Sequence, residues 1–221
     1  MPTRSPEELR RTLQSASFDG DPEVLDLLRD EARRTVDQQV ATLNDIDEKA
    51  SRILRVNLVL VGLLVTALSY VSQANDVAVG SFENVYFGGG FVLLVLSSAL
   101  AGLTYSASEF DAGVGSDNIA KTLSSGVDEP GFEELLLKNY AVRINFNRST
   151  NVRNAPLITG TIVTLIGAIY FLSVGSYHAF YGPVELPVGA ASLVVFSAYA
   201  RFTGLPQQVT TAYRDVRGNH D

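Results

Sequence analysis

The ionisable side chains of this 221-residue chain form few sets that could do chemistry. Cysteine is absent and the histidines are His178 and His220, so neither a cysteine-ligated zinc site nor a bis-histidine haem can be assembled. The stretch SEFDAGVGSD holds three acids, Glu109, Asp111 and Asp117, but it lacks the alternating acids and final glutamate of a calcium loop. A solvated acidic loop is the simpler interpretation. We therefore predict no catalytic, metal-ligating or cofactor-binding residue and no cofactor.

Three arginines precede the third apolar block of the chain. Arg143, Arg148 and Arg153 are candidates for binding lipid headgroup phosphates or another anion. The alternative is the ordinary enrichment of basic residues on the cytoplasmic side of a membrane protein. The net charge of −7 argues against a general nucleic-acid binder, so we predict no nucleic-acid partner.

The hydrophobic residues, 46% of the chain, are concentrated in four blocks. A helix of about twenty residues spans a hydrocarbon core of about 30 Å. The fourth block is the shortest and carries Pro187 near its start, where the first turn of a helix tolerates proline. We predict four transmembrane helices, at residues 53–72, 87–105, 157–174 and 186–202.

The distribution of basic residues predicts the orientation of these helices. The loops at 73–86 and 175–185 contain none of the 17 lysines and arginines. Short loops rich in lysine and arginine stay in the cytoplasm. The two lysine- and arginine-free loops are therefore expected outside. We predict a multi-pass protein of the cell membrane with both termini in the cytoplasm.

The polar stretch ahead of the first span predicts a long helix. Asp21 is a candidate N-cap, and neither glycine nor proline occurs between Val24 and Gly62. The helix is therefore expected to continue into the first span. Packing against a partner helix is the favoured explanation of its apolar stripe, and a self-associating coiled coil is the alternative. The stripe consists of Leu28, Ala32, Val36, Val40, Leu43, Ile46, Ala50 and Ile53.

The segment between the second and third spans is too long to lack structure. We predict a short helix at 117–125 and another after Pro130, whose apolar face would pack against the stripe of the amino-terminal helix. Asn154 is predicted to cap the third span, with Pro156 in its first turn. The apolar face consists of Phe132, Leu135, Leu136, Tyr140 and Ile144.

These elements predict an all-α integral membrane protein with two transmembrane hairpins and a cytoplasmic helical layer. The layer includes the long amino-terminal helix, continuous with the first span. The predicted divisions are cytoplasmic amphipathic helices at 1–52, the first hairpin at 53–106, a cytoplasmic helical loop at 107–154, the second hairpin at 155–202 and a cytoplasmic tail at 203–221.

Polar and small residues inside the spans are the remaining candidates for function. No ionisable side chain lies in the middle of a span, which argues against proton-coupled transport. Asn57, Thr66 and Ser69 could line a pore or fix helix register, and register is favoured for Asn57. Small residues at four-residue spacing predict close helix packing. They are Ser98, Gly102, Gly160, Thr164 and Ala168.

The stretch DEKASRILRVN at 47–57, where the amphipathic helix enters the first span, resembles uncharacterised haloarchaeal membrane proteins with several spans. The 24 acidic residues and the arginine-rich basic set agree with such a source. More distantly, the first half of the chain is similar to the SLATT and Pycsar-type membrane effectors of prokaryotic defence systems. The resemblance implies a self-associating effector that permeabilises the membrane and carries no catalytic residues.

These observations lead to one function hypothesis with two alternatives. The hypothesis is a non-enzymatic, homo-oligomeric membrane protein, a pore- or channel-type effector that responds to a cytoplasmic signal. One alternative is a non-conducting scaffold that recruits a cytoplasmic protein partner through the amino-terminal helix. The other is a small membrane enzyme that uses the acidic loop after the second span. All three place the chain in the lipid bilayer.

Overall fold

A computed structural model describes residues 6–73, 79–106 and 128–218, and every regular element in these ranges is helical. The predicted all-α fold is therefore confirmed for the described part of the chain. The predicted helix at 117–125 and the acidic loop with Glu109, Asp111 and Asp117 lie outside these ranges. The elements are α1 (Pro6–Ser15), α2 (Pro22–Gln73), a 3-10 turn (Val79–Phe82), α3 (Val85–Ser106), α4 (Glu129–Tyr181), α5 (Leu186–Phe202) and α6 (Leu205–Gly218).

Three of the described helices, α2, α3 and α4, are long and apolar enough to cross a membrane. A fourth span is reached if α5 and α6, which are bent by 49° to each other, are taken as one. Gly204 lies in this bend with a φ of 74°, a left-handed conformation that glycine adopts without strain. The helices are compatible with a multi-pass membrane protein.

An aspartate directly precedes each of the two long helices. The Asp21 side chain accepts a hydrogen bond of 3.0 Å from the Glu23 backbone N–H, which confirms the predicted N-cap. The Asp128 side chain accepts a bond of 3.2 Å from the Gly131 backbone N–H in the same way. With no helix breaker before Gly62, α2 runs unbroken through 52 residues.

The predicted helix start at Asn154 is wrong. Helix α4 runs through 53 residues and contains Pro156 in its interior. An interior proline costs a helix about 3 kcal/mol, but membrane helices tolerate it where neighbouring groups satisfy the freed backbone. Asn154 is buried at 2% exposure inside the helix. Packing on both sides of the proline therefore outweighs the local preference for a break.

Two further boundaries differ from the sequence predictions. Helix α4 continues to Tyr181, so His178 lies in its last turn and not in a loop. The segment predicted as a tail, 203–221, contains helix α6. The chain divides into two compact units, and both α2 and α4 contribute to each of them.

Unit 1 comprises Met1–Asp45, Ser108–Arg153 and Thr210–Asp221. Within it, α2 and α4 contact each other, as their two apolar faces predict. The Gln39 side-chain amide donates a bond of 3.2 Å to the Ile144 carbonyl, and the Asn151 amide donates one of 3.4 Å to the Gln39 carbonyl. The stripe prediction fails at Leu28, which is 46% exposed, because Leu25 occupies the buried position instead.

Unit 2 comprises Ile46–Ala107 and Asn154–Val209. It contains two apolar clusters. One joins Ile46 and Ala50 of α2 to Ile158 of α4. The other is centred on Leu94 of α3, together with Ala168 and Leu172 of α4, and Leu60, Val61 and Leu64 of α2 pack against it. The apolar parts of the three helices therefore meet in the second cluster.

Candidate functional site

A buried polar relay connects three helices inside unit 2. The Asn57 side-chain amide of α2 donates a hydrogen bond of 3.0 Å to the Ser97 hydroxyl of α3. The Ser97 hydroxyl donates in turn to the Thr161 backbone carbonyl of α4, also at 3.0 Å. All three residues are fully buried. We call this Asn57–Ser97–Thr161 set the polar relay.

The polar relay leaves one acceptor unused. Among the described residues, no hydrogen-bond donor reaches the Asn57 side-chain oxygen, although that atom is buried. In an apolar interior an unpaired polar atom is costly, so the two bonds that are made favour one alignment of the helices. This geometry supports the interpretation of Asn57 as a register residue.

The other two candidate pore residues face away from the relay. Thr66 follows Asn57 by nine residues, and nine residues turn a helix by about two and a half turns, which puts them on opposite faces. Thr66 and Ser69 are both exposed. Their hydroxyls donate to the carbonyls of Gly62 at 2.8 Å and Val65 at 2.7 Å. The structure therefore separates Asn57 from Thr66 and Ser69.

The apolar part of α2 is largely uncovered by the rest of the chain. Within an apolar stretch of 18 residues in each helix, the share that is buried by the rest of the chain is 6% in α2, 28% in α3 and 44% in α4. The exposed strip of Leu58, Gly62, Thr66 and Ser69, here called the α2 face, lies within about 80° of the helix circumference. Larger exposed residues flank it, among them Val59 and Val65, at 62% and 59% exposure.

The predicted small residues behave differently on the two helices that carry them. On α4, Gly160 and Ala168 are buried, and Thr164 donates to the Gly160 carbonyl at 2.8 Å. On α3, Ser98 bonds only to Leu94 of its own helix, and a Cβ atom at Gly102 would meet nothing within 4 Å. Close packing is therefore present at the α4 positions and not at Gly102.

Sequence analysis missed the closest helix approaches. A Cβ atom at Gly90 would lie 2.6 Å from the Leu172 backbone nitrogen, and one at Gly175 would overlap the Phe87 backbone. At Gly167 a Cβ atom would lie 2.5 Å from the Phe196 ring. The run of three glycines that ends at Gly90 is the one signal that could have identified such a contact.

The three candidate arginines lie on the unit 1 part of α4 and do not share one surface. Steps of five residues turn a helix by about 140°, so consecutive members face different directions. Arg143 is buried at 5% exposure, while Arg148 and Arg153 are exposed. The Arg153 guanidinium lies 3.5 Å from the Asp215 carboxylate, and Arg153 lines a cleft of about 240 Å³ together with Arg10.

Two adjacent glutamates of α4, both in unit 1, have pKa values displaced from the ordinary value of a carboxyl group. Hydrogen bonds from Lys138 at 2.6 Å and from the Phe18 backbone N–H at 3.3 Å hold the pKa of Glu134 below its ordinary value. Burial and the neighbouring Asp26 raise the pKa of Glu133, and Arg29, at 2.7 Å, partly opposes this. The two carboxyls therefore respond to pH with opposite sign.

Within residues 6–73, 79–106 and 128–218, no three His, Asp or Glu side chains are grouped so that they could hold a metal ion. The acidic loop of the enzyme alternative lies outside these ranges. No protein-family model, curated protein sequence or solved structure matches this chain.

Proposed function

We propose that this chain is a non-enzymatic protein of the cell membrane that associates with further copies of itself through the α2 face, and that the assembly acts as a pore-type effector. The exposure of the α2 face is the observation that carries this proposal. Together with the apolar residues that flank it, Val59 and Val65, this face forms an exposed surface that would favour aggregation in water, so a bilayer or another helix has to cover it.

The proposed topology has four spans in two hairpins, α2 with α3 and α4 with α5. Unit 1 and both termini lie in the cytoplasm. This orientation is supported by the basic residues, none of which occurs in the loops at 73–86 and 175–185. Unit 1 would then receive the cytoplasmic signal, and α2 and α4 are its continuous connections to the membrane.

The composition of the α2 face suits a contact between two helices. Gly62 and Thr66 are four residues apart, the spacing at which small residues let helix backbones approach closely. A Cβ atom at Gly62 would meet nothing within 4 Å in the single chain, so its surface is available. The α2 face carries no charge, and a second copy of α2 can therefore pack there without burying an ion.

An assembly built around the α2 face would bring the Thr66 and Ser69 hydroxyls of several copies near its axis. Rings of polar side chains and backbone groups are what line membrane pores. Asn57 would take no part in this lining, because it is buried in the polar relay. The polar relay would hold each copy in register instead.

The first experiment measures the mass of the full-length protein in lipid nanodiscs. A defined oligomer is expected for the wild type. Gly62→Leu is expected to shift the population to monomers, because the added side chain separates the helices. Ala67→Leu is the matched control, since Ala67 is also exposed on α2 but lies about 140° away around the helix. A wild-type monomer, or equal effects of both variants, would refute the proposed interface.

The second experiment measures ion flux from liposomes that contain the intact oligomer. Flux is expected for the wild type and is expected to fall at least tenfold in Ser69→Leu, which replaces a hydroxyl at the axis by an apolar side chain outside the Gly62–Thr66 contact. Val56→Leu, at another exposed position on α2, should conduct as the wild type does. An oligomer that passes no ions would overturn the pore while leaving self-association intact.

A scaffold is the second candidate function, and exposed apolar residues in the unit 1 part of α2 favour it. Leu27 is 71% exposed and Val24 is 43% exposed. If this surface recruits a cytoplasmic protein, one partner should co-purify with the wild type in a stoichiometric amount. Leu27→Glu should lose this partner. The purified partner should also bind the wild type directly. Gln38→Glu, at an exposed polar position, should retain it. A scaffold predicts no ion flux.

A further inference from the structure

Unit 2 contains an apolar pocket of about 810 Å³ between α3, α4 and the start of α5. This volume lies in the range of small-molecule sites, which are typically lined by apolar groups with a few polar ones. Among the described residues, no charged side chain lines the pocket. Its walls include Tyr86, Gly88 and Gly89 of α3, Phe171 of α4, and Gly189 and Leu193 of α5.

Glycines create the space in this pocket. A Cβ atom at Gly88 or Gly89 would meet nothing within 4 Å, so these two residues leave one wall of the pocket without side chains. At Gly189 a Cβ atom would overlap the Tyr86 hydroxyl, so the Tyr86 side chain can lie here only because residue 189 is glycine. Gly88 and Gly89 thus leave the space open, and Gly189 allows Tyr86 to lie against the wall of α5.

Tyr86 supplies one polar group to these apolar walls. Its ring lies beside that of His178, with 6.3 Å between the centroids. In the part of the chain that the structure describes, the Tyr86 hydroxyl makes no hydrogen bond. A tyrosine with an apolar surrounding and an available O–H is suited to a molecule that is mainly hydrocarbon and carries an acceptor oxygen.

The charges near the pocket bear on the headgroup of such a molecule. Glu83 and Glu185 are both exposed and stand just before α3 and α5, the two helices that supply most of the wall. Neither connecting segment, 79–84 or 182–185, contains a lysine or arginine. An anionic headgroup would therefore be repelled, whereas a zwitterionic one can place its cationic part near these carboxylates.

We infer that this pocket binds one hydrocarbon chain of a zwitterionic membrane lipid, with an ester or ether oxygen of the lipid accepting a hydrogen bond from Tyr86. The site differs from the α2 face, since α2 supplies none of its lining residues. The inference therefore does not depend on the proposed oligomer. A lipid held in this way would exchange more slowly than the lipids that surround the protein.

The test uses the full-length protein in mild detergent with phosphatidylcholine that carries a photoactivatable group on its acyl chain. Labelling is expected at about one lipid per chain, with cross-links to Phe171 and Leu193. Gly89→Leu fills the pocket and should lower labelling at least tenfold. Gly102→Leu is the matched control, because Gly102 lies on the same helix, also faces open space and lies outside the pocket.

Tyr86→Phe tests the hydrogen bond without changing the shape of the pocket. It should weaken phosphatidylcholine binding by about 3- to 10-fold, the effect of one hydrogen bond. Phosphatidylglycerol should compete less well than phosphatidylcholine. Scattered labelling, or equal labelling of Gly89→Leu and wild type, would overturn the site. Cross-links from pocket residues to a second copy would assign the pocket to a protein contact, and equal competition by both lipids would overturn the zwitterionic class.

Discussion

Asn57 and Ser97, on α2 and α3, are joined by a hydrogen bond of 3.0 Å in which both residues are fully buried. Ser97 extends the contact to the Thr161 carbonyl on α4. A shift of any one helix by a single residue would separate these groups and leave them unpaired among apolar side chains. The polar relay therefore favours one alignment of the three helices.

Removal of the Ser97 hydroxyl should destabilise unit 2 by about 1–2 kcal/mol, because Ser97→Ala breaks both bonds of the polar relay and leaves the Asn57 amide buried without a partner. Unfolding of the full-length protein in mixed micelles measures this loss. Ser98→Ala is the control, since the Ser98 hydroxyl donates to the Leu94 carbonyl of its own helix. A double-mutant cycle of Asn57→Leu and Ser97→Ala should show coupling; additive effects would mean that the bond contributes nothing.

Local patterns in the sequence were sufficient for α2, α3 and α5 and for some helix ends, but not for α6, which lies in the segment predicted as a tail. Asp21 caps α2 as predicted, since capping depends on residues within one turn. The break at Asn154 could not be predicted correctly, because burial by distant residues outweighs the local cost of Pro156. The same reason applies to Asn57. Its position within an apolar block is evident from the sequence, but its hydrogen-bond partner is 40 residues away along the chain.

The close approach of α4 to α3 at Gly175 should tolerate no added side chain. A Cβ atom at Gly175 would overlap backbone atoms of Phe87, which cannot move aside as a flexible side chain can. Gly175→Ala is expected to destabilise the protein by about 1–3 kcal/mol through overpacking. Gly88→Ala, where a Cβ atom meets nothing within 4 Å, should leave unfolding within about 0.5 kcal/mol of wild type. Equal stability of the two variants would contradict the close approach.

The lowered pKa of Glu134 predicts a pH-dependent contribution to the stability of unit 1. A carboxyl whose folded pKa lies below its unfolded pKa stabilises the fold above the unfolded value, and this contribution is lost as the pH falls through the folded pKa. Glu134→Gln should therefore weaken hydrogen-exchange protection around Lys138 at pH 7, by about 1 kcal/mol. Wild type and variant should converge at acidic pH.

Glu133 provides a contrast of opposite sign on the same helix. Its raised pKa means that the folded state binds a proton more tightly than the unfolded state, so its contribution becomes less favourable as the pH rises through the folded pKa. Relative to wild type, Glu133→Gln should therefore gain stability with rising pH, apart from a constant loss of its contact with Arg29. If both variants changed in the same direction, the assigned causes of the two shifts would be incorrect.

The topology can be mapped with single cysteines, because the chain contains no native cysteine. A membrane-impermeant thiol reagent should label Glu83→Cys and Glu185→Cys in intact cells, since both lie beside segments without basic residues. Ser17→Cys, in unit 1, should react only after permeabilisation. Labelling of Arg214→Cys decides the number of spans. If Arg214→Cys, like Ser17→Cys, is protected from the reagent in intact cells, α5 has to cross the membrane. Labelling together with Glu185→Cys would leave α5 on the outer side and reduce the spans to three.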